Sequence, residues 1–371
     1  MSDLRIVFVI NSLSKGGAER VLSILANKFI SEKYQVDLIY FRDIPIKYSI
    51  DKRINLKCLK VKYESNSNLL KRIYFFLKKT FLLNRALKKI SSKKVIISFG
   101  DGVSMPLMVR KILTFSKSKT IVSIRSNPIK NSSNFHRTIA SILYIFSSKI
   151  VVQSEFIKNS INSIFLKYKI QKIYNPVVKD FDKNPYLVGK YEYTFLSIGR
   201  FIRSKRHDIL IHAFNNLLKK RKEHITLCIA GKDDGEKIKL QKLIDELNIS
   251  NNVILLDAID DVYSLYLNSK IYVHPSEYEG MSNAVLEAMS AGLPSIISNY
   301  DGIEEIITHN ENGYLFEINN IDLLTHLMNQ LIDNKDKQLK FSKRSFDQIN
   351  EQFDLDLVFR EWENLIFEVA N

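Results

Sequence analysis

Cysteine is almost missing from this chain of 371 residues: there are two, Cys58 and Cys228, far apart and each inside a strand-like run. That usage excludes a disulfide scaffold and any cysteine-based zinc spacing, and it suits reduced core thiols in a cytosolic compartment. The seven histidines are scattered, and the nearest pair, His207 and His212, does not share a helix face, so no metal site is expected. Long hydrophobic runs are missing too. Segments such as Ile6 to Ile10 and Ile73 to Leu77 fall well short of the ~20 apolar residues of a membrane span, so neither a spanning helix nor a signal peptide is expected. Acidic residues are scarce in one half only: residues 1–180 carry 34 Lys and Arg against 10 Asp and Glu, whereas residues 181–371 carry 21 against 30. The first half therefore faces something anionic. Nucleic acid, an acidic lipid leaflet and a phosphorylated substrate all satisfy that requirement.

The length exceeds one comfortable hydrophobic core, so two domains are expected. Strand-like runs at Leu4 to Ile10, Tyr34 to Tyr40, Ile54 to Leu59, Lys94 to Phe99, Thr120 to Ile124, Lys149 to Val152 and Lys169 to Tyr174 alternate with helical patterns, which predicts a parallel sheet. Asn175-Pro176 and the polar stretch Lys179 to Tyr191 read as a linker. A second α/β series follows, with strands at Tyr193 to Ile198, Ile225 to Ala230, Asn252 to Asp257, Lys270 to His274 and Pro294 to Ser298. The expected architecture is α/β, two Rossmann-like parallel-sheet domains facing a cleft: an acceptor- or membrane-facing domain over 1–178, a nucleotide-binding domain over 190–353, and a terminal helix over 354–371 that crosses back to the first domain. Ligands of open parallel sheets bind at the carboxyl ends of strands, so the motifs there carry the chemistry.

Three such motifs stand out. After the first strand comes Lys15-Gly16-Gly17-Ala18-Glu19-Arg20, where two glycines let backbone approach a ligand closely; it is not the GxGxxG dinucleotide fingerprint, and a plain strand-to-helix turn reads equally well. The second series opens on Gly199-Arg200-Phe201-Ile202-Arg203-Ser204-Lys205-Arg206, in which Arg200 can take a diphosphate bidentately and Lys205 can add a point charge. A solvated basic loop is the alternative. The third and most informative is Ser276-Glu277-Tyr278-Glu279-Gly280-Met281-Ser282-Asn283-Ala284-Val285-Leu286-Glu287. Glu279 in a loop and Glu287 in the second turn of a helix can accept hydrogen bonds from hydroxyls of one ligand placed over the helix start, against the alternative of two solvated acids.

GGAERVL, GRFIRSK and EYEGMSNAVLEAMSAGLP occur here in the order and placement of glycosyltransferase family 4, and the chain resembles that family nearly end to end. The resemblance implies a GT-B fold and retaining transfer from a nucleotide sugar. It also implies that Arg200 and Lys205 hold the donor diphosphate after Gly199, and that Glu287 takes the ribose hydroxyls. Glu279 with the backbone of Gly280, Met281, Ser282 and Asn283 would take the sugar hydroxyls, and Gly16 and Gly17 would close on the donor from the other domain. In similar enzymes that extend polyprenyl-diphosphate-linked glycans a basic helix grips the acceptor diphosphate. Here Leu69 to Ile90 reads as a helix about 33 Å long on which Lys71, Lys78 and Arg85 repeat every seven residues, widened by Arg72, Lys79 and Lys89. Leu70, Ile73, Leu77 and Phe81 are expected to pack on the domain, with Phe75 and Leu82 left in the cationic face to meet lipid headgroups. A solvated Lys-rich surface helix is the alternative. Asp101 ends a strand where an acceptor hydroxyl can reach it. Arg125 stands where many members of the family carry a histidine, and His136, without a partner motif, reads as an ordinary helix or loop histidine. The expected mechanism relies on positioning and leaving-group stabilisation, the leaving diphosphate itself taking the acceptor proton.

The expected activity is transfer of a hexose or N-acetylhexosamine from a UDP-sugar to a lipid-linked saccharide in capsule, O-antigen or other surface-glycan synthesis. The partners expected are the nucleotide-sugar donor, the lipid-linked acceptor and an anionic membrane surface at the inner face of the cell membrane, with no metal, other cofactor or nucleic acid. A nucleotide-sugar 2-epimerase would use the same fold without a cationic apolar helix. A nucleic-acid binder would need base-stacking aromatics in a basic channel, where this chain has mainly aliphatic and Phe side chains.

Overall fold

The structure, a computed structural model, describes residues 4–14, 16–61, 68–90, 93–131, 133–161, 166–178, 191–259 and 261–371. The expected linker, Lys179 to Tyr191, lies almost wholly outside them. The chain divides into two compact units, Met1–Pro176 with Leu355–Asn371, and Val177–Asp354.

In the first unit the elements run β1 (Arg5–Ile10), α1 (Gly17–Ser31), β2 (Gln35–Tyr40), β3 (Asn55–Cys58), α2 (Leu69–Lys88), β4 (Lys94–Phe99), α3 (Asp101–Leu113), β5 (Lys119–Ser123), α4 (Pro128–Asn131), α5 (Asn134–Tyr144), β6 (Lys149–Val152), α6 (Glu155–Ser160) and β7 (Ile170–Lys172). The strands form one parallel sheet in the order β3-β2-β1-β4-β5-β6-β7. Side chains of a strand alternate between faces, and a parallel sheet must be covered on both. So Ile6, Phe8 and Ile10 of β1 enter one core with α1, while Val7 and Val9 enter a second with Leu83 and Leu87 of α2 and Leu107 and Met108 of α3. The second unit runs β8 (Tyr193–Ile198), α7 (His207–Leu218), β9 (Leu227–Ala230), α8 (Lys237–Glu246), β10 (Val253–Leu256), α9 (Val262–Leu267), β11 (Ser269–His274), α10 (Asn283–Ser290), β12 (Ser295–Ser298), β13 (Tyr314–Phe316), α11 (Ile321–Asp333) and α12 (Lys335–Gln348). Its parallel sheet has the order β10-β9-β8-β11-β12-β13.

The edge strand β13 is a finding the sequence reading lacks. Three residues give too short a run for periodicity to register, and it is its pairing with β12 that defines it.

Helix α13 (Leu355–Ala370) returns to the first unit. Val358, Phe359, Trp362, Leu365, Ile366 and Val369 are buried in the core that holds α1. Trp362, the single tryptophan, stacks on Phe99 of β4 with ring centroids 6.0 Å apart, and Phe359 lies 4.7 Å from Phe29 of α1. Polar groups fix the helix along its length: Tyr34 donates to Glu363 at 2.6 Å, and Lys28 and Lys149 pair with Asp356 and Glu368 at 2.8 and 2.6 Å. Because Trp362 is fully enclosed, Trp362→Ala is expected to destabilise the first unit by about 3–5 kcal/mol. Urea denaturation followed by circular dichroism measures this as an earlier transition of that unit.

Candidate active site

In a doubly wound sheet the ligand crevice opens at the carboxyl ends of the two strands where the order reverses. In the second unit those strands are β8 and β11. The loop after β8 is Gly199 to Arg206 and the loop after β11 is Pro275 to Ser282, and they meet: the Glu277 N–H donates to Ser204 O at 2.8 Å. This brings together two motifs far apart in sequence, Lys205 and Glu279 being 74 residues apart. Gly231, at the exit of β9, has a role that no motif signals, since a Cβ there would come within 1.9 Å of Gly199 O. Only a residue without a side chain allows the β8 and β9 exits to run so close.

Lys205 and Glu279 form an ion pair, both side chains largely enclosed. Glu279 accepts two further hydrogen bonds, from Ser276 Oγ at 3.1 Å and from His274 Nε2 at 2.9 Å. Burial alone would raise its carboxyl; Lys205 and the His274 hydrogen bond outweigh that and hold it well below the usual carboxylate range. Glu287, in the second turn of α10, is buried, and Tyr266 donates to it at 3.2 Å. Helix α10 begins at Asn283 with Ser282 as its N-cap, which makes no side-chain cap. Met281 and Ser282 have buried side chains, so the polar groups this turn presents to a ligand are backbone N–H groups. Arg200 is half exposed and paired with Asp234 at 3.2 Å. The site thus combines cations on one loop, N–H groups at a helix start and two carboxylates, a set that recognises a polyhydroxylated anion.

Beside it lies His207, the first residue of α7, buried and with no hydrogen-bond partner at either ring nitrogen among the described residues. Burial, together with the nearby Lys205 and His274, lowers its pKa to about 3.

In the first unit the reversal falls between β1 and β4. Lys79 of α2 spans it, its Nζ donating to Asn11 Oδ1 at 3.0 Å and Gly102 O at 3.3 Å, each just beyond one of those strands. Gly16 caps α1 in extended conformation; a Cβ there would meet Glu19 Oε2 at 2.3 Å, and its backbone exchanges hydrogen bonds with Tyr48. Gly17 opens the helix and Lys15 lies outside the described residues. Asp101 accepts from Tyr144 at 2.5 Å, and His136 Nε2 stands 3.9 Å from it on the wall of an 810 Å³ cavity. His136 therefore has a carboxylate neighbour that its sequence context does not announce. Arg125 donates to Asn175 Oδ1 at 2.5 Å and lies over the Phe99 ring, its Nε without a partner among the described residues; burial lowers its pKa to about 9.

Helix α2 corrects one expectation outright. Leu70, Ile73, Leu77 and Phe81 do not pack on the domain: they are exposed, Leu70 by 75% and Phe81 by 66%. Phe75 and Leu82, expected to face lipid, lean instead against the core beside Leu83, Ala86 and Leu87. The rotation is set by the helix's second half, where Thr80, Leu83, Ala86 and Leu87 make the buried stripe. The first three turns then present an apolar strip outward. At 100° per residue, Lys71, Lys78 and Arg85 flank one side of it.

Residues 178–348 match the family model of Glycosyl transferases group 1. An uncharacterized glycosyltransferase of Haemophilus influenzae is 28% identical over 97% of this chain and 98% of its own length. The GalNAc-alpha-(1->4)-GalNAc-alpha-(1->3)-diNAcBac-PP-undecaprenol alpha-1,4-N-acetyl-D-galactosaminyltransferase of Campylobacter jejuni is 26% identical over 99% of both. Among solved structures, Anabaena HepE in complex with UDP and glucose superposes with a TM-score of 0.81 at 16% identity, covering 98% of this chain and 99% of that one. Likeness at such low identity carries the fold, and that fold is GT-B.

The buried His207 gives this site a pH signature. The unfolded histidine takes a proton near pH 6.5, whereas the folded one refuses it until about pH 3, so stability falls as pH drops from about 6.5 toward 3, by up to ~1.4 kcal/mol per pH unit for this group. His207→Leu is expected to flatten that part of the curve in thermal melts between pH 7 and 4. An unchanged slope would assign the acid sensitivity to other groups.

Proposed function

We propose that this protein is a retaining glycosyltransferase that moves a hexose or N-acetylhexosamine from a UDP-sugar to a polyprenyl-diphosphate-linked saccharide. It acts at the inner face of the cell membrane in the assembly of capsule, O-antigen or another surface glycan. The observation that carries this reading is the meeting of the β8 and β11 loops, which puts Lys205, Glu279 and the start of α10 in one place. The second unit holds the donor: Arg200 and Lys205 take the diphosphate beside Gly199, Glu287 the ribose, and Glu279 with the N–H groups from Gly280 to Asn283 the transferred sugar. These cations and N–H groups meet the diphosphate charge, so no metal ion or other cofactor is required. The glycosidic C–O bond to the diphosphate breaks, the acceptor oxygen bonds to the same face of the anomeric carbon, and the acceptor proton passes to the leaving diphosphate. Stabilising that leaving group is the chief task of Arg200 and Lys205.

The acceptor belongs to the first unit, whose cation excess suits a lipid diphosphate. Lys71, Lys78 and Arg85 grip that diphosphate, and Asp101 and Arg125 orient the accepting saccharide. The exposed strip Leu70, Ile73, Leu77 and Phe81 beside those cations suits a helix lying in a headgroup layer; among the described residues no helix is long and apolar enough to cross a membrane. Relatives named as glycosyltransferases, one of them with an undecaprenol-diphosphate-linked acceptor in its name, favour transfer over epimerisation.

Thermal stabilisation by UDP, GDP, ADP and their sugars tests the donor. A raised midpoint with UDP and one UDP-sugar is expected, and no shift with any nucleotide would overturn the reading. Replacing Lys71, Lys78 and Arg85 by Gln together should weaken use of a polyprenyl-diphosphate acceptor while leaving the UDP shift intact, and Arg200→Ala should lower turnover more than acceptor binding. Co-sedimentation with vesicles containing anionic lipid is expected for the wild-type chain and should drop at least about tenfold when Leu77 and Phe81 are both replaced by Asp.

A further inference from the structure

The carboxylate Glu279 has three hydrogen-bonding neighbours among the described residues, and they differ in whether they survive donor binding. Lys205 is the only cation among them, and in the reading above it is the group that turns to the diphosphate. Once it does, Glu279 keeps two neutral donors, Ser276 Oγ and His274 Nε2. Ser276 Oγ also lies 3.4 Å from Ser204 O and 3.5 Å from Tyr278 O, so its single proton has other acceptors in reach. The imidazole is held by its ring, although its Nε2–H also has Ser282 Oγ 3.3 Å away. His274 is buried at the end of β11, its ring 6.0 Å from the Tyr272 ring and nearly parallel to it, with Tyr300 edge-on at 6.3 Å.

The tautomer follows from the neighbours. An ionised carboxylate only accepts, so Nε2 carries the proton that Glu279 receives, and Nδ1 of a neutral ring then accepts. Tyr272 supplies the hydrogen: its hydroxyl is 3.1 Å from Nδ1 and 3.4 Å from Ile198 O. Ser282 Oγ, at 3.3 Å from Nε2, lies at the edge of the same bond. Burial keeps the ring neutral against the pull of Glu279, helped by the positive charge of Lys205. The result is a directed chain, Tyr272 to His274 to Glu279, built on two alternate residues of a single strand whose side chains share one face of the sheet.

We propose that His274 is a positioning residue for sugar transfer: it holds Glu279 in place for the donor sugar's hydroxyls when Lys205 leaves the carboxylate for the diphosphate. This rests on the glycosyltransferase reading and adds to it a residue outside the loop motifs. His274 needs no contact with substrate. Its loss leaves Arg200, Lys205 and Glu287 to bind the nucleotide and costs the geometry of the sugar, and a misplacement of about 1 Å at such a site lowers turnover by about 100-fold.

Two variants of the full chain separate this from a merely structural role. His274→Gln puts an amide N–H within reach of Glu279, and His274→Phe keeps the ring without a donor. For UDP release from the UDP-sugar that stabilises the wild type, kcat is expected to fall by about 100-fold in His274→Phe and to return to within about tenfold of wild type in His274→Gln. UDP affinity should stay within about threefold in both. Equal losses in the two variants, or losses that track their melting temperatures, would overturn the proposal, as would full activity in His274→Phe. The tautomer is tested without activity by nitrogen NMR of histidine-labelled protein, where His274 should be protonated at Nε2 and not at Nδ1; the opposite tautomer overturns the chain. Failure of the wild type to bind any UDP-sugar would instead defeat the glycosyltransferase reading and leave the NMR result standing by itself.

Discussion

A parallel sheet is apolar on both faces and cannot leave either in water. In the first unit β1 meets this demand by sending Phe8 one way and Val7 and Val9 the other. The helices encoded between its strands close one face with α2 and α3, and α1 closes only part of the opposite one. The remaining apolar area is covered by α13, which fits Trp362 and Phe359 over Phe99 and Phe29. The carboxyl ends of the strands are fixed only after both faces are packed, so the positions of Asn11, Gly102, Asp101 and Arg125 depend on a helix distant from all of them in sequence.

The second unit meets the same constraint at its candidate site. Its order reverses at β8 and β11, so two loops leave adjacent strands in the same direction and must share space. Gly231 lets the neighbouring strand exit come close, and the Glu277 to Ser204 hydrogen bond fastens the loops together. Opposite charges meet as a consequence. Lys205 and Glu279 neutralise each other, which removes the cost of two enclosed unpaired charges.

Much of this was legible in the residues. Alternating apolar runs and helical patterns located both sheets within a residue or two at most strand ends, because a strand buried on both faces reads as a continuous apolar run. The Gly199 to Lys205 and Glu279 to Glu287 motifs announced themselves because glycine, charge and a helix start occur together. What stayed hidden depended on partners far away in sequence. The rotation of α2 was misread because its exposed and buried sides are both apolar in the first turns, and only the stripe from Thr80 to Leu87 decides between them. His274 looked like the end of a core strand, and nothing local says that its ring reaches Glu279. Gly231 and the pairing of His136 with Asp101 are likewise products of folding, with no spacing rule to reveal them.

The return of α13 also sets an order of events during synthesis. Strands β1 to β7 leave the ribosome before any of Val177–Asp354, and the helix that seals them follows only after that whole stretch. At bacterial or eukaryotic elongation speeds the delay is on the order of ten seconds or more, long compared with the collapse of the sheet. Through that interval the face around Phe29 and Phe99 is open to water, to other nascent chains and to chaperones. The second unit, by contrast, is contiguous and can finish folding while the first still waits, so the half of the molecule that begins first is the half that is completed last.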